Sequence, residues 1–589
     1  MTERPIWIWA AGVVLVLMIV ANVARGAGSP LPVPEIGVGQ AARLGAVRIS
    51  IATSSTKQEW MHQAIQAFNT ASPREGALQV EGKPVVVEIV QEVVDGKKVD
   101  YRSGTMVSDT VDGKIKPTIL SPSEEQWILK LQADWRATHG TAIARDVGPI
   151  LARTPLVLGA WESRAQALGC WPDPAPECTW ERVRALAVSP NGWGMLGRAE
   201  WGQFKLGYGY PGESNSGTVS TMLTCMVGAG KSSALTAEDV DVNSGCGQFI
   251  AGVERAKVHS GNRSGWLIEQ MTNGGPEYLD AVAISESDII LANRTRSAEL
   301  RERIVSIYPQ DGTVLLGHPF TVLEGAPWVT PEQIAAASVF KTFLLSAEQQ
   351  QAVTSTGLRP GDPNVRLESP IESRYGANPS ARLVTRDLPD GAVFDRVIEV
   401  WHRVKKHSMI ALVFDRSGSM NEPKISAAIR GAQEFVRRMD GDDQLVWMPF
   451  DNTVYPPTEG FGSQLGEELI GRIGSTPASG GTALYDAVLS AYDRLQDARS
   501  IHGERLRYGI VVLSDGRDES SRTTLSTLEL KLKPGEVDPT GVQIHTVAIG
   551  GDADERVLKR IANAAHGNYW KGQTADDMVA VYRAIATYY

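Results

Sequence analysis

The run Met409-Ile410-Ala411-Leu412-Val413-Phe414 stops at Asp415-Arg416-Ser417-Gly418-Ser419. An unbroken apolar stretch of this length, closed by a glycine-containing polar loop, predicts a buried strand ending at one edge of a sheet. The loop receives three oxygen-bearing side chains at positions i, i+2 and i+4. A hard divalent cation needs oxygen ligands that converge from a rigid support, and the end of a buried strand supplies such a support. Two later segments share the design. Gly480-Gly481-Thr482-Ala483-Leu484 carries a hydroxyl in a glycine turn, and Ile510-Val511-Val512-Leu513-Ser514-Asp515-Gly516 ends a second apolar run in a carboxylate.

Any one of these fragments alone reads equally as a turn or a helix N-cap, because Asp and Ser serve both roles. In order, however, Asp415-x-Ser417-x-Ser419, then Thr482, then Asp515 resemble the metal-ion-dependent adhesion site of von Willebrand factor A domains. The resemblance covers 406–589 and implies a doubly wound, Rossmann-like fold. Strands are expected at 409–414, 444–450, 508–514 and 542–549, and helices at 422–439, 483–496, 555–565 and 576–588. It implies direct ligation by the hydroxyls of Ser417, Ser419 and Thr482, with Asp415 and Asp515 acting directly or through water. Such a set suits Mg²⁺, and Mn²⁺ or Ca²⁺ fit the same oxygens. With two carboxylates nearby the ion keeps an open position, which a partner's carboxylate fills in this family. Asp486, at a helix start, is expected to meet backbone amides. Asp518 is expected in a solvated loop, and His545 in the core.

With 589 residues the chain exceeds a single core. Its 21% charged and 42% hydrophobic residues are ordinary for a folded protein. A formal net charge of -10, with no basic stripe interleaved with aromatics, argues against nucleic acid as a partner. Residues 6–24 carry no charge and consist mostly of Ile, Trp, Val, Leu, Met and Ala. At about 1.5 Å of rise per residue that run is long enough to cross a hydrocarbon core. An uncleaved transmembrane anchor is the expectation; a cleaved signal peptide is the competitor, but Arg25 interrupts the small residues that a cleavage site needs. Residues 25–43, rich in Gly, Pro and Ala, read as a tether. Either reading places the rest of the chain outside the cytoplasm.

In 44–365 strand and helix signals alternate. A strand at 47–52 runs into Thr53-Ser54-Ser55-Thr56 and a helix at 59–69, and further strands lie at 85–90 and 117–120, the last ending in Ser121-Pro122-Ser123. Such alternation marks a parallel α/β sheet, with ligands gathering at the carboxyl ends of strands. Pro211-Gly212-Glu213-Ser214-Asn215-Ser216-Gly217 opens another helix, and a strand at 281–285 is followed by Glu286. The order of these stations resembles the two-lobed periplasmic-binding-protein class of bacterial solute-binding proteins. Ser54, Ser55, Ser121, Ser123, Ser214 and Ser216 are candidate contacts to a small polar or anionic solute, as helix N-termini favour such groups; plain capping is the alternative for each. From the resemblance, Glu286 is expected to line the cleft. Residues 366–405 read as a connector.

Four cysteines, all within that domain, predict two disulfides in an oxidising compartment, and of three possible connectivities Cys170–Cys178 with Cys225–Cys246 is the expected one. There is no Gly-x-Ser-x-Gly elbow, Walker loop or His-Glu-x-x-His, and the nine histidines do not cluster. The expectation is therefore a membrane-anchored, single-pass, extracytoplasmic binding protein rather than an enzyme. It would engage a protein partner through a Mg²⁺-dependent site and hold a solute between two lobes. The alternative is a solute receptor for a membrane transporter, with the adhesion domain as its docking module.

Overall fold

Why the first half folds into two lobes is visible in its strands. The computed structural model describes residues 45–94, 97–233, 235–261, 264–389, 391–532, 541–551 and 553–586. Strand Val47–Thr53 alternates inward and outward side chains until its last three residues, which are all buried. It pairs in parallel with Lys83–Val94 on one side and Ile119–Ser121 on the other. These, with Gln79–Val80, Lys97–Asp100 and Thr321–Val322, form the first lobe's sheet. The second lobe is built around Ile150–Trp161, flanked by Ile304–Ile307, Ala281–Ser285, Leu206–Gly209 and Lys257–Gly261. Leu315–Pro319 and Arg359–Pro360 also pair with that long strand. The disulfides are Cys170–Cys178 and Cys225–Cys246, as expected, the latter joining helices Asn215–Gly228 and Gly245–Glu254.

The lobes touch closely. Arg102 of the first lobe donates to Glu213 of the second at 2.7 Å, and Trp127 Nε1 donates to Asn215 Oδ1 at 2.7 Å. Gly104 lies so near the Gly212 carbonyl that an added Cβ would fall 2.4 Å from its oxygen. Only a residue without a side chain permits that approach.

Residues 366–405, read from sequence as a connector, are built into this two-lobed region. Helix Gly391–Val404 buries Val393, Phe394, Val397, Val400 and Trp401, an i, i+3/i+4 stripe that needs a wall to cover it. The wall comes from both lobes. Phe394 packs edge-on against Trp127, with centroids 5.2 Å apart, and Asp395 pairs with Lys130 at 3.0 Å. On the other lobe Arg396 donates to the Val240 carbonyl at 2.8 Å, and Trp401 donates to Glu254 at 2.6 Å. Three residues after this helix ends, the C-terminal sheet begins.

That sheet runs in the order Thr458–Phe461, Gln444–Phe450, Ser408–Asp415, Arg507–Ser514, Gln543–Ile549, Tyr569–Gly572. All its pairs are parallel except the first. Helices Lys424–Arg438, Gly462–Gly474 and Ala575–Ala586 cover one face. Leu484–His502, Leu525–Leu532 and Glu555–Ala564 cover the other. With both faces covered, Ser408–Asp415 is buried at every position, which is why its sequence is continuously apolar. Among the described residues no helix is long and apolar enough to cross a membrane. The expected anchor at 6–24 and tether at 25–43 lie outside the described residues.

Candidate functional site

Adjacent parallel strands Ser408–Asp415 and Arg507–Ser514 deliver Asp415 and Asp515 to the same edge of the sheet, both carboxylates wholly buried. Asp415 accepts a hydrogen bond from the Ser417 backbone N–H at 2.8 Å and another from Ser514 Oγ at 2.5 Å. Burial pushes its carboxyl up to about 6, a rise that Asp515 reinforces and the serine hydrogen bonds oppose. Ser417 Oγ and Ser419 Oγ stand 3.0 Å apart. The Gly418 N–H donates to the Gly480 carbonyl at 2.9 Å, drawing the loop that bears Thr482 against the serine loop. Gly480 has a φ of +83° and its Cβ position is crowded by Asn452 and Asp451, so the turn requires glycine. The Thr482 carbonyl accepts from the Glu519 and Ser520 N–H groups, tying in the segment beyond Asp515.

Five predicted residues, Asp415, Ser417, Ser419, Thr482 and Asp515, therefore come from three loops at one end of the sheet. All but Ser419 are buried. The set fits a small divalent cation. Oxygens about 2.1 Å from Mg²⁺ at adjacent corners of an octahedron lie about 3.0 Å apart, the spacing of the two serine hydroxyls. One further group intrudes: Lys424 Nζ is 3.4 Å from Asp515 Oδ2. Among the described residues no three His, Cys, Asp or Glu side chains gather as a metal cluster. Any ion here would rest largely on hydroxyls.

Neighbouring acids have structural work. Asp451 accepts from Tyr455 OH at 2.8 Å and from the Thr453 N–H at 3.0 Å. Asp486 accepts from the backbone N–H groups of Arg522 and Thr523, in keeping with its expected role at amides. Asp518 accepts from Ser521 Oγ at 2.6 Å. His545 lies in the core, where burial pushes it down to about 3, and its Nδ1 accepts from the Asn568 N–H at 3.1 Å.

In the two-lobed region Ser54, Ser121, Ser123, Ser214 and Ser216 are buried and Ser55 is exposed. Their hydroxyls meet protein groups. Ser54 Oγ accepts from Lys57 at 2.8 Å, Ser121 Oγ donates to the Pro319 carbonyl at 2.6 Å, and Ser123 Oγ meets Thr56 Oγ1 at 3.1 Å. Ser214 Oγ lies 3.2 Å from Ser216 Oγ and caps helix Asn215–Gly228. Glu286, expected from the resemblance at the cleft, is buried, and its carboxylate accepts from Tyr308 and, at 2.9–3.0 Å, from Arg359. An acid is needed there to neutralise that arginine.

Three buried groups near the cleft escaped sequence reading. Lys57 donates to Ser54 Oγ, to the Ser121 carbonyl at 2.6 Å and to the Pro122 carbonyl at 3.1 Å, and lies 3.4 Å from His318 Nδ1. Burial drives its ammonium well below the ordinary lysine range, against an upward pull from Asp100. Glu124, which accepts from the Gly317 N–H at 3.0 Å, is pushed up to about 8 by burial. A lysine within a serine-rich strand end was the available signal for Lys57; Glu124 and His318 offered none. A cavity of about 230 Å³ is lined by both lobes, by Lys57 and Trp60 on one side and Ser287 and Asp288 on the other.

Comparison with known proteins gives the same division. Residues 49–359 match the profile of the bacterial extracellular solute-binding proteins, and 410–582 match the von Willebrand factor type A domain. An uncharacterized protein of Synechocystis sp., sll0103, is 27% identical over 160 residues, which is 27% of this chain and 36% of that protein, so the match spans about a third of the relative's length. Among solved structures, von Willebrand factor type A from Catenulispora acidiphila is 21% identical over 31% of this chain and 42% of that one, with a TM-score of 0.27. A periplasmic thiamin binding protein is 10% identical over 61% of this chain and 96% of that one, with a TM-score of 0.40.

Proposed function

The chain belongs to the bacterial extracellular solute-binding proteins and carries a von Willebrand factor type A domain, and from that premise we propose that it is an extracytoplasmic binding protein with two recognition sites. One is the hydroxyl-rich end of the C-terminal sheet, where Ser417, Ser419, Thr482, Asp415 and Asp515 would hold Mg²⁺, with Mn²⁺ or Ca²⁺ as substitutes. The bound ion would supply an electrophilic position for a partner's carboxylate. The residues of this chain position the oxygens, keep Asp415 dry and leave Ser419 and Gly418 toward solvent. The second site is the cleft between the lobes, for a small polar or anionic solute. A membrane anchor at 6–24 completes the reading, supported by the uncharged apolar run there.

The observation that carries this reading is the 3.0 Å pairing of the Ser417 and Ser419 hydroxyls beside two buried carboxylates. Isothermal titration of the purified full-length chain with MgCl₂ tests it. Saturable binding that disappears in Asp415→Ala and Ser417→Ala supports the site, whereas equal heats from native and variant chains would sink it. A solute receptor serving a membrane transporter is the second reading, favoured by the solute-binding match over 49–359.

A further inference from the structure

At the opposite end of the C-terminal sheet, where its strands begin, a crevice of about 880 Å³ separates that sheet from the second lobe. Its walls are basic in a chain whose net charge is -10. Lys205 and Arg255 come from the lobe, Lys405 and Lys406 from the segment after helix Gly391–Val404, and Arg505 from the turn before strand Arg507–Ser514. Glu254 is the one carboxylate among the lining residues. Its oxygens are engaged by Trp401 at 2.6 Å, by Lys257 and Arg507 at 3.5 Å, and by Tyr208. Lys405 is held by Asp440 at 2.7 Å and Lys205 lies 3.9 Å from Asp280. The side chains of Arg255 and Arg505 are both exposed, and neither pairs with a carboxylate among the described residues. Two guanidinium groups from different domains thus line one space without a counter-charge among the described residues.

The crevice is not merely charged. Val188, Trp201, Phe204 and Val404 also line it, with Phe204 buried and Trp201 half-buried. A densely sulfated chain would have to desolvate charge against that apolar floor, which is unfavourable. A peptide can set an aromatic or aliphatic side chain on the floor while its carboxylates meet the arginines in bidentate fashion. We propose that this crevice receives an acidic peptide segment of a protein partner, anchored by one apolar side chain and held by Arg255 and Arg505. Because its two arginines belong to different domains, occupancy would draw the lobe and the sheet together. The site is remote from the hydroxyl-rich end, so it neither needs nor implies a metal there.

Fluorescence anisotropy of the full-length chain with a fluorescein-labelled peptide, Asp-Glu-Phe-Glu-Asp-Glu, tests this. Binding should weaken by about tenfold or more in the Arg255→Glu/Arg505→Glu double variant and fall between about 50 mM and about 500 mM salt. The same peptide with serine for phenylalanine should bind several-fold more weakly, and EDTA should change nothing. The Arg255→Lys/Arg505→Lys variant, which keeps the charges but not the two-pronged guanidinium geometry, should lose affinity by a few-fold, less than the charge-reversed variant, and its unchanged melting temperature would report native folding. Undetectable binding, unchanged affinity in the charge-reversed variant, or an unlabelled heparin fragment that competes as well as the phenylalanine peptide would each overturn the proposal.

Discussion

A guanidinium nitrogen of Arg507 lies 3.5 Å from the buried carboxylate of Glu254, an ion pair that crosses from the second lobe to the C-terminal sheet. Arg507 begins the strand whose last residue, Ser514, hydrogen-bonds Asp415. At about 3.3 Å per residue that strand spans roughly 23 Å, so one rigid element joins the domain junction to the candidate metal site. Burial works against the charge on Glu254. Lys257 and Arg507, with hydrogen bonds from Tyr208 and Trp401, nevertheless hold its carboxyl below the usual range.

Glu254→Gln should therefore be costly. It leaves the buried Lys257 without its counter-charge and removes one partner of Arg507, and a loss of about 3 kcal/mol is expected in urea-induced unfolding. A double-mutant cycle with Arg507→Met measures the cross-domain share. Strict additivity would show that the pair does not couple the two domains.

Lys424 competes with any cation at the hydroxyl-rich site, because its ammonium already sits by Asp515. Lys424→Met should tighten Mg²⁺ binding by several-fold, as removing a like charge a few ångströms away favours the ion. Titration calorimetry reads the change directly, and unaltered affinity would contradict the competition.

Truncating Phe394, 2% exposed, strips the bridging helix of a contact with Trp127. Phe394→Ala should destabilise the two-lobed region by about 3–5 kcal/mol. Hydrogen exchange should quicken in helices Gln126–His139 and Asn215–Gly228, while the strands of the C-terminal sheet keep their protection. Acceleration confined to one lobe would mean that the helix does not brace both.

His545 gives the C-terminal domain an acid limit. Its folded pKa of about 3 lies below the ordinary value of 6.5 because burial disfavours the cation. Between those values the unfolded chain binds the extra proton, so stability falls as pH drops from 6.5 toward 3. His545→Gln should flatten that part of the pH–stability curve relative to the native chain; superimposable curves would rule the histidine out.

Reduction should separate the domains. Both disulfides lie in the two-lobed region. Dithiothreitol is expected to lower the stability of that region by about 3 kcal/mol, with the transition of the C-terminal domain unmoved in differential scanning calorimetry. Equal shifts in both transitions would mean that the regions unfold as one.

Ser408–Asp415 and Arg507–Ser514 were legible because each is a nearly continuous apolar run, which itself states that both faces are covered, whereas the short edge strands Thr458–Phe461 and Tyr569–Gly572 carry no such run. Asp415, Ser417 and Asp515 were legible because they sit at the ends of such runs. Thr482 needed the order of the fragments as well. Other features depend on partners far away in sequence. Lys57 acquires meaning only when Ser121, Pro122 and His318 surround it. The pairing of Glu286 likewise depends on Arg359 and Tyr308, 73 and 22 residues further along the chain. The segment after 366 reads as a connector from its punctuation, since no local pattern announces that its apolar stripe will be shared between two lobes.

The bridging helix also bears on how the molecule can be taken apart. Matches to the two families end at 359 and resume at 410, inviting a cut between them. A cut just before Gly391 would expose Trp127 and Met226 on one fragment and leave Phe394 and Trp401 as a greasy leader on the other. The seam for dissection or module exchange lies instead between Val404 and Ser408, and even there Glu254 would part from Arg507.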